Sequence, residues 1–394
     1  IESIDIGGPA MIRAAAKNWA NVAVVTDPAD YDSVAANAVA GLSDEQRLRL
    51  SAKAFRHTAF YDSMIGRYLS EAAGESLLES DTHSVGLRRK MSLRYGENPH
   101  QAGGLFVDPL TAAGIPHATQ KWGKELSYNN ILDADAAWEL VADLPAGSCA
   151  IIKHGNPCGA ALGATPGNSY RMAKQSDPIS AFGGIAAFHG EVDRATAEAM
   201  AEKGNFLEVV IATRFTEDAI TTFTDRSGWG QDVRLLEATL PASEKSWTIR
   251  SIRGGALIQE SDEDPNPEWQ IVTERKPSEE EMAAMRLAWQ MIPHVKSNAI
   301  VIANDKQLLG GGAGQMNRVQ SVRLALNQAG ELAKGAVLAS DAFFPFPDSV
   351  ETAAAEGVTC FVQPGGSKKD GDVIAKANEL GVTMVFTSVR HFRH

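Results

Sequence analysis

The block Lys153-His154-Gly155-Asn156-Pro157-Cys158-Gly159 sets a fixed cation beside an imidazole, directly after the apolar run 149–152. An imidazole exchanges protons near neutral pH, and an adjacent ammonium stabilises negative charge that develops beside it. The Gly and Pro around the pair suit a loop at the C-terminal end of a strand, where α/β proteins place their sites. A surface turn with incidental Lys and His is the plainer alternative. His154 and Cys158 also suggest a zinc deaminase, but that chemistry needs a Glu two residues after the His and a Cys-x-x-Cys pair. Asn156 stands at the first position and Ala161 at the second. A catalytic zinc therefore lacks its ligands, and Cys158 reads as a small packing residue.

Four further blocks could bind a polar ligand. Arg94-Tyr95-Gly96-Glu97-Asn98-Pro99-His100-Gln101 combines cationic, aromatic and amide groups around an Asn-Pro turn. Gly310-Gly311-Gly312-Ala313-Gly314-Gln315, ahead of Arg318, has the form of an anion loop, because glycines let backbone N–H groups approach a ligand. It matches neither a dinucleotide fingerprint nor a Walker loop, and a tight structural turn is the alternative. Ser340-Asp341-Ala342-Phe343-Phe344-Pro345-Phe346-Pro347-Asp348 is a proline-stiffened aromatic turn that could stack on a flat heterocycle or plug an interface. Gly7-Gly8-Pro9, ahead of the helical run 10–18, is a second candidate anion site. The tail Arg390-His391-Phe392-Arg393-His394 is basic and aromatic and follows a strand directly, so it is expected to be tucked in.

Positioning these residues requires alternating elements. Strands are predicted at 22–26, 149–152, 184–188, 207–212, 299–303, 336–339, 359–362 and 383–386. Helices are signalled between them. Ser43 with Gln46, and Ser278 with Glu281, have capping-box spacing, and 316–329 has helical periodicity. The alternation reads as α/β, with mixed or parallel sheets covered by helices. Two stretches read as connections: the polar 74–86, and the acidic 260–277 with Pro265, Pro267 and Pro277. A domain boundary is expected near residue 85.

The 394 residues can bury a sizeable core, and their 44% hydrophobic and 22% charged content is that of a soluble enzyme. No apolar run approaches the roughly 20 residues of a membrane span, and no signal peptide opens the chain, so no membrane partner is expected. The net charge of -12 argues against a nucleic-acid partner. Cys149, Cys158 and Cys360 are too few and too scattered for a disulfide framework, which suits a reducing cytoplasm. The first residue is Ile1, inside a motif, and the start reads as a truncated or processed end.

Ten phrases in order resemble one family, the bifunctional 5-aminoimidazole-4-carboxamide ribonucleotide (AICAR) formyltransferase/IMP cyclohydrolase. They are IDIGGPAMIRAAAKN, LRYGENPHQ, KELSYNNILDADAAWEL, KHGNPCG, SDPISAFGGI, SIRGGALIQ, VKSNAIV, GGGAGQMNRV, SDAFFPFPD and the terminal VRHFRH, and they cover nearly the whole chain. The resemblance implies two cytidine-deaminase-like α/β subdomains without zinc in 86–394, joined near 260–277. It implies that 1–85 is the end of a methylglyoxal-synthase-like cyclohydrolase domain plus a helical connector. The implied reaction is formyl transfer from 10-formyltetrahydrofolate to the amine of AICAR in purine biosynthesis. No catalytic metal is implied, although the family can hold potassium near the aromatic turn, and a homodimer is expected. A nucleoside deaminase on the related fold and a non-catalytic nucleotide-binding protein remain as alternatives.

By the same matching, Lys153 and His154 resemble the catalytic pair, and Asn298 an amide that acts with it. Arg94, Tyr95, Asn130, Gly183 and Arg390 look like substrate-binding positions, and Arg318 like a phosphate-binding arginine. Asp341 and Phe343 lie in the turn bordering the ligand. Glu208, where relatives can carry Asp, is matched to the ribose or imidazole. Asp5 and Lys17 match an acidic and a basic position of the cyclohydrolase site, an incomplete set, so ring closure to IMP is not expected of this chain alone.

Overall fold

The computed structural model describes residues 1–37, 39–241, 247–263 and 268–394. The chain divides into two compact units. The first comprises Ile1–Lys90, Phe106–Thr111 and Thr248–Gln259, and the second Met91–Leu105, Ala112–Trp247 and Glu260–His394. Pro265 and Pro267 of the expected connection lie outside the described residues.

The first unit is built on helices α1 (Gly7–Lys17), α2 (Tyr31–Asn37) and α3 (Asp44–Ala73). α3 begins at the expected capping box: the Ser43 hydroxyl accepts the Gln46 N–H at 3.2 Å, and Gln46 Oε1 accepts the Ser43 N–H at 2.8 Å. It stops at Gly74, whose φ of 70° is left-handed. α1 lies against α3 through the fully buried Ala16 and Ala54, and Ser51 donates to the Ala16 carbonyl at 2.7 Å. The expected strand at 22–26 is not one. The segment has no regular structure and pairs with no strand among the described residues, and an apolar, β-branched run becomes a strand only where a partner ladder exists. A two-stranded ribbon, β1 (Arg88–Leu93) and β2 (Gly103–Val107), follows.

The second unit contains β3 (Thr119–Trp122), α4 (Tyr128–Asp143), β4 (Cys149–Lys153), β5 (Asn156–Ala161), α5 (Pro166–Ser176) and β6 (Gly184–Phe188). Next come β7 (Glu191–Val192), α6 (Arg194–Met200), β8 (Leu207–Ala212), β9 (Arg214–Phe215), α7 (Glu217–Thr224) and β10 (Arg234–Glu237). The hairpin β11 (Trp247–Ile252) and β12 (Gly255–Glu260) lies almost wholly in the first unit. The chain then resumes the second with β13 (Gln270–Ile271), α8 (Glu279–Met291), β14 (Ile300–Ala303), β15 (Leu308–Gly312) and α9 (Arg318–Ala329). It ends with β16 (Val337–Ser340), α10 (Asp348–Ala355), β17 (Cys360–Gln363), α11 (Asp370–Glu379) and β18 (Thr383–Phe386).

Two six-stranded sheets result, in the orders β3-β10-β8-β6-β4-β5 and β13-β18-β17-β16-β14-β15. In the first, β6, β8 and β10 are parallel, β4 is antiparallel to β5 and β6, and β3 is antiparallel to β10. The second repeats this pattern: β16, β17 and β18 are parallel, β14 is antiparallel to β15 and β16, and β13 is antiparallel to β18. One topology has been used twice. The sheets meet at their edge strands, where Ala161 bridges Gln307 in antiparallel sense and Leu162 N–H donates to the Lys306 carbonyl at 2.8 Å. α4 and α8 share one buried core with both sheets, through Trp138 and Met285, with Ile292 just past α8, against Ile152, Val209, Val301 and Val362. The outer helices cover the remaining faces, which is why the strands read as continuous apolar runs.

Of the expected anion loop 310–315, the first three residues, Gly310-Gly311-Gly312, are instead the end of strand β15. Its glycines serve packing: a Cβ on Gly310 would stand 2.1 Å from the Ala325 carbonyl oxygen, and one on Gly312 would stand 2.0 Å from that of Ser321, both in α9. Gly159 in β5 meets α5 in the same way, with Ala173 O at 1.8 Å. The second candidate anion site also differs, because Asp5 Oδ1 already accepts the Gly8 N–H at 2.9 Å.

Candidate active site

The direction of the edge strands decides what meets what. Because β5 and β15 run antiparallel, the end of β4 and the start of β6 and β8 lie at the same end of the unit as the start of β14 and the end of β16 and β18. Lys153, Gly183 and Glu208 are thereby set toward Asn298, Asp341 and the tail. The closest link is direct. Asn156 Oδ1 accepts the N–H of Lys296 at 3.2 Å.

Lys153 closes β4, and its ammonium donates to the Phe182 carbonyl at 2.6 Å. His154 follows with φ 55°, a left-handed conformation that costs a non-glycine residue about 1–2 kcal/mol. Gly155 continues the turn at φ 70°. Both backbone N–H groups point to one carboxylate: Asp133 Oδ2 accepts from His154 at 2.9 Å and Oδ1 accepts from Gly155 at 2.7 Å. Asp133 stands in α4, whose start is fixed by a capping box that the sequence reading missed. Ser127 Oγ accepts the Asn130 N–H at 3.1 Å, and Asn130 Oδ1 accepts the Ser127 N–H at 3.2 Å. The block expected to be a loop is therefore a tight turn, with β5 starting at Asn156.

Around this turn the same sheet gathers its other expected residues. Asn130 is buried and donates Nδ2 to Glu208 Oε2 at 2.7 Å, and Arg234 Nη1 is 3.9 Å from the same oxygen. Gly183, at φ 74°, donates its N–H to the Phe206 carbonyl at 2.8 Å, and Phe182 stacks obliquely on Phe206 at 5.3 Å between centroids. The 94–101 block is a loop closed on itself by Gly96 N–H to Gln101 O at 2.6 Å. Asn129, in α4, donates to its Glu97 carbonyl at 3.3 Å. Arg94 is exposed, lies 4.8 Å over the Tyr95 ring and donates to its hydroxyl at 3.0 Å.

The second sheet contributes a buried polar knot. Asn298 donates Nδ2 to the Gln315 carbonyl at 2.7 Å and accepts at Oδ1 from Arg318 Nη2 at 2.7 Å. Arg318, the residue matched to a phosphate, is 8% exposed, and its Nη1 donates to Ser340 Oγ at 2.9 Å and to Asp341. Asp341 is fully buried and also accepts from Ser297 Oγ. The tail is tucked in as expected: His391 N–H donates to the Asp341 carbonyl at 3.0 Å, and Ser297 N–H donates to the Arg393 carbonyl at 2.8 Å. Arg390 remains exposed, 4.3 Å over Phe392. In the aromatic turn Phe344 is core, edge-on to Phe361, whereas Phe343 and Phe346 are 38% and 59% exposed.

Asp5 and Lys17 belong to the first unit and flank opposite ends of α1, so they do not form a pair. Sequence reasoning missed Asp133, Lys296 and Ser297. Asp133 was visible only as part of the acidic LDAD run, since nothing local says which carboxylate caps a distant turn. All three cysteines are buried. Burial, with smaller contributions from neighbouring charges, pushes the Cys158 thiol up to about 12, and burial likewise raises Cys149 and Cys360, so none is a thiolate nucleophile at neutral pH. Among the described residues no cluster of three His, Cys, Asp or Glu could hold a metal ion, and no helix is long and apolar enough to cross a membrane.

A family model described as "AICARFT/IMPCHase bienzyme" matches residues 15–328. The chain is 50% identical over 399 residues to the bifunctional purine biosynthesis protein PurH of Shouchella clausii, covering 100% of this chain and 76% of that protein. It is similarly related to the protein of the same name from Listeria monocytogenes serotype 4a, at 49% over 399 residues and 77% of its length. For Sorangium cellulosum the figures are 48% over 411 residues and 78%.

Proposed function

This chain belongs to the AICARFT/IMPCHase bienzyme family and is an AICAR formyltransferase of de novo purine biosynthesis, and from that premise we propose how its residues divide the reaction. The amine of AICAR is a poor nucleophile, because its lone pair is delocalised into the imidazole and carboxamide. Its attack on the formyl carbon of 10-formyltetrahydrofolate forms a new N–C bond and a tetrahedral oxyanion. Collapse breaks the bond from that carbon to folate N10, giving formyl-AICAR and tetrahydrofolate. The amine must lose a proton and N10 must gain one.

His154 carries that proton from one nitrogen to the other, and Lys153 offsets the oxyanion. One N–H of Lys153 is committed to Phe182 O, which fixes the ammonium and leaves two donors. The amide of Asn298, held by Arg318 and Gln315, orients the reacting groups from the other sheet. Arg94 and Arg390, both exposed, offer forks to the nucleotide phosphate, and Asn130 sets Glu208 toward the ribose or imidazole. The exposed Phe343 and Phe346 border the folate side and suit a subunit interface; light scattering that finds a dimer supports this, and a fully active monomer overturns it.

The observation that carries the reading is the juncture of the two sheets. Asn156, two residues from His154, bonds the backbone of Lys296, two residues from Asn298. The test follows tetrahydrofolate formation from AICAR and 10-formyltetrahydrofolate. His154→Ala is expected to lower turnover about 10²–10⁴-fold with nucleotide affinity little changed. A folded His154→Ala enzyme of full activity removes His154 from the mechanism.

A further inference from the structure

The His154 turn is held by two side chains: Asn156, whose Nδ2 donates to the His154 carbonyl at 3.2 Å, and a carboxylate that has no assigned role. Asp133 takes the two consecutive N–H groups of His154 and Gly155, one on each carboxylate oxygen. His154 is one of only two non-glycine residues with positive φ among the described residues. Such a conformation persists only where its surroundings over-determine it, and it is characteristic of sites.

The internal repeat provides a built-in comparison. α4 and α8 both open with capping boxes, at Ser127 and Ser278, and the residue in α8 at the place of Asp133 is Ala284. The turn after β14 closes without help from α8: Asn304 Oδ1 accepts the N–H groups of Lys306 at 2.9 Å and Gln307 at 2.8 Å. No residue of 304–307 has a positive φ. That loop has four residues between the paired Ala303 and Leu308, against two between Lys153 and Asn156, and it is tied by its own asparagine where the shorter loop is tied by a helix carboxylate. The copy that has one is the copy whose turn presents a histidine.

We infer that Asp133 is a positioning residue for formyl transfer, holding the backbone of His154 in the left-handed turn that aims its imidazole at the reacting amine. The inference rests on the reading of His154 as the proton carrier. Asp133 acts through the backbone and not through the imidazole: each of its oxygens accepts one backbone N–H. The other charges about the turn are Lys153, tied to Phe182 O, and Lys296, whose Nζ lies 3.8 Å from where a Gly155 Cβ would stand. Positive φ at both 154 and 155 is what a two-residue loop between the paired Lys153 and Asn156 demands; the carboxylate pins that loop to α4, and without it the loop and its ring shift by roughly 1 Å.

Asp133→Asn keeps the shape and one acceptor but turns an NH₂ toward the second N–H; Asp133→Ala removes both acceptors. Turnover, AICAR affinity by calorimetry and Tm are measured for each, alone and combined with His154→Ala. The expected result for folded Asp133→Asn is a fall in kcat of about 10- to 100-fold, with AICAR affinity near that of the wild type. In the His154→Ala background Asp133→Asn costs nothing further, since groups acting as one unit are not additive. If Asp133→Ala fails to fold, Asp133→Asn decides. Wild-type turnover in folded Asp133→Asn, or an equal loss with and without the imidazole, overturns the positioning role alone. Full turnover in His154→Ala overturns the reading of His154 and this inference with it.

Discussion

Gly310 and Gly312 lie under α9 with their missing Cβ atoms 2.1 and 2.0 Å from the carbonyl oxygens of Ala325 and Ser321, whereas Gly311 between them has nothing nearer than 3.9 Å. Neither obstructing atom is a side chain that can swing aside. Each is helix backbone, so Gly312→Ala forces α9 off β15 by roughly 1 Å or more to reach ordinary contact distance. Overpacking of this kind costs about 1–3 kcal/mol. Gly311→Ala meets no such barrier and restricts the unfolded chain, a gain of about 0.4–1 kcal/mol. Thermal and urea melts of the three single variants should therefore alternate: Tm lowered by several degrees, unchanged or raised, and lowered again. AICAR affinity measured on the same preparations separates this from an anion cradle, in which all three variants bind nucleotide less well at unchanged stability. A Gly312→Ala protein as stable as the wild type refutes the packing argument.

Three further outcomes follow from the site. Lys153→Ala lowers turnover, and combined with His154→Ala it costs less than the product of the single effects, as kinetics of the four proteins will show. Asp341→Asn leaves the buried Arg318 guanidinium uncompensated beside Ser340 and Asn298, so urea denaturation should register a loss of about 3–5 kcal/mol. With all three thiols buried and raised, a thiol reagent at neutral pH should titrate none quickly in the native protein and three after unfolding.

The expected strands from 149–152 onward all lie within the two sheets, because strands buried on both faces write themselves as unbroken apolar runs. β5 and β15 were hidden for the opposite reason. Their Gly and Pro residues read as loops, yet the glycines are what helices packed at close range demand. The run 22–26 shows the limit of pattern from the other side, since β-branched residues supply a strand only half its requirements. At the site, adjacency in sequence made Lys153 and His154 legible. The Arg318–Asp341–Asn298 knot joins residues 20 and 23 positions apart, and polar partners so distant leave no mark on local pattern. Asp133 was illegible for the same reason: its acceptors serve a turn 21 and 22 residues away.

The seam between β5 and β15 has a consequence for how such a molecule can be divided. Each is the last strand of its own sheet, short and uncharged; β5 ends in Gly159, Ala160 and Ala161, and β15 in Gly310, Gly311 and Gly312. A strand of that composition at an open edge invites pairing with any other chain, and proteins ordinarily guard against it with lysines, prolines or bulges. Here Pro157 guards only the start of β5, and the other copy of the fold lies alongside its far end, with Ala161 bridged to Gln307. Either half produced alone would bare a sticky edge and self-associate, so the two copies shield each other from aggregation and are obliged to travel as one polypeptide.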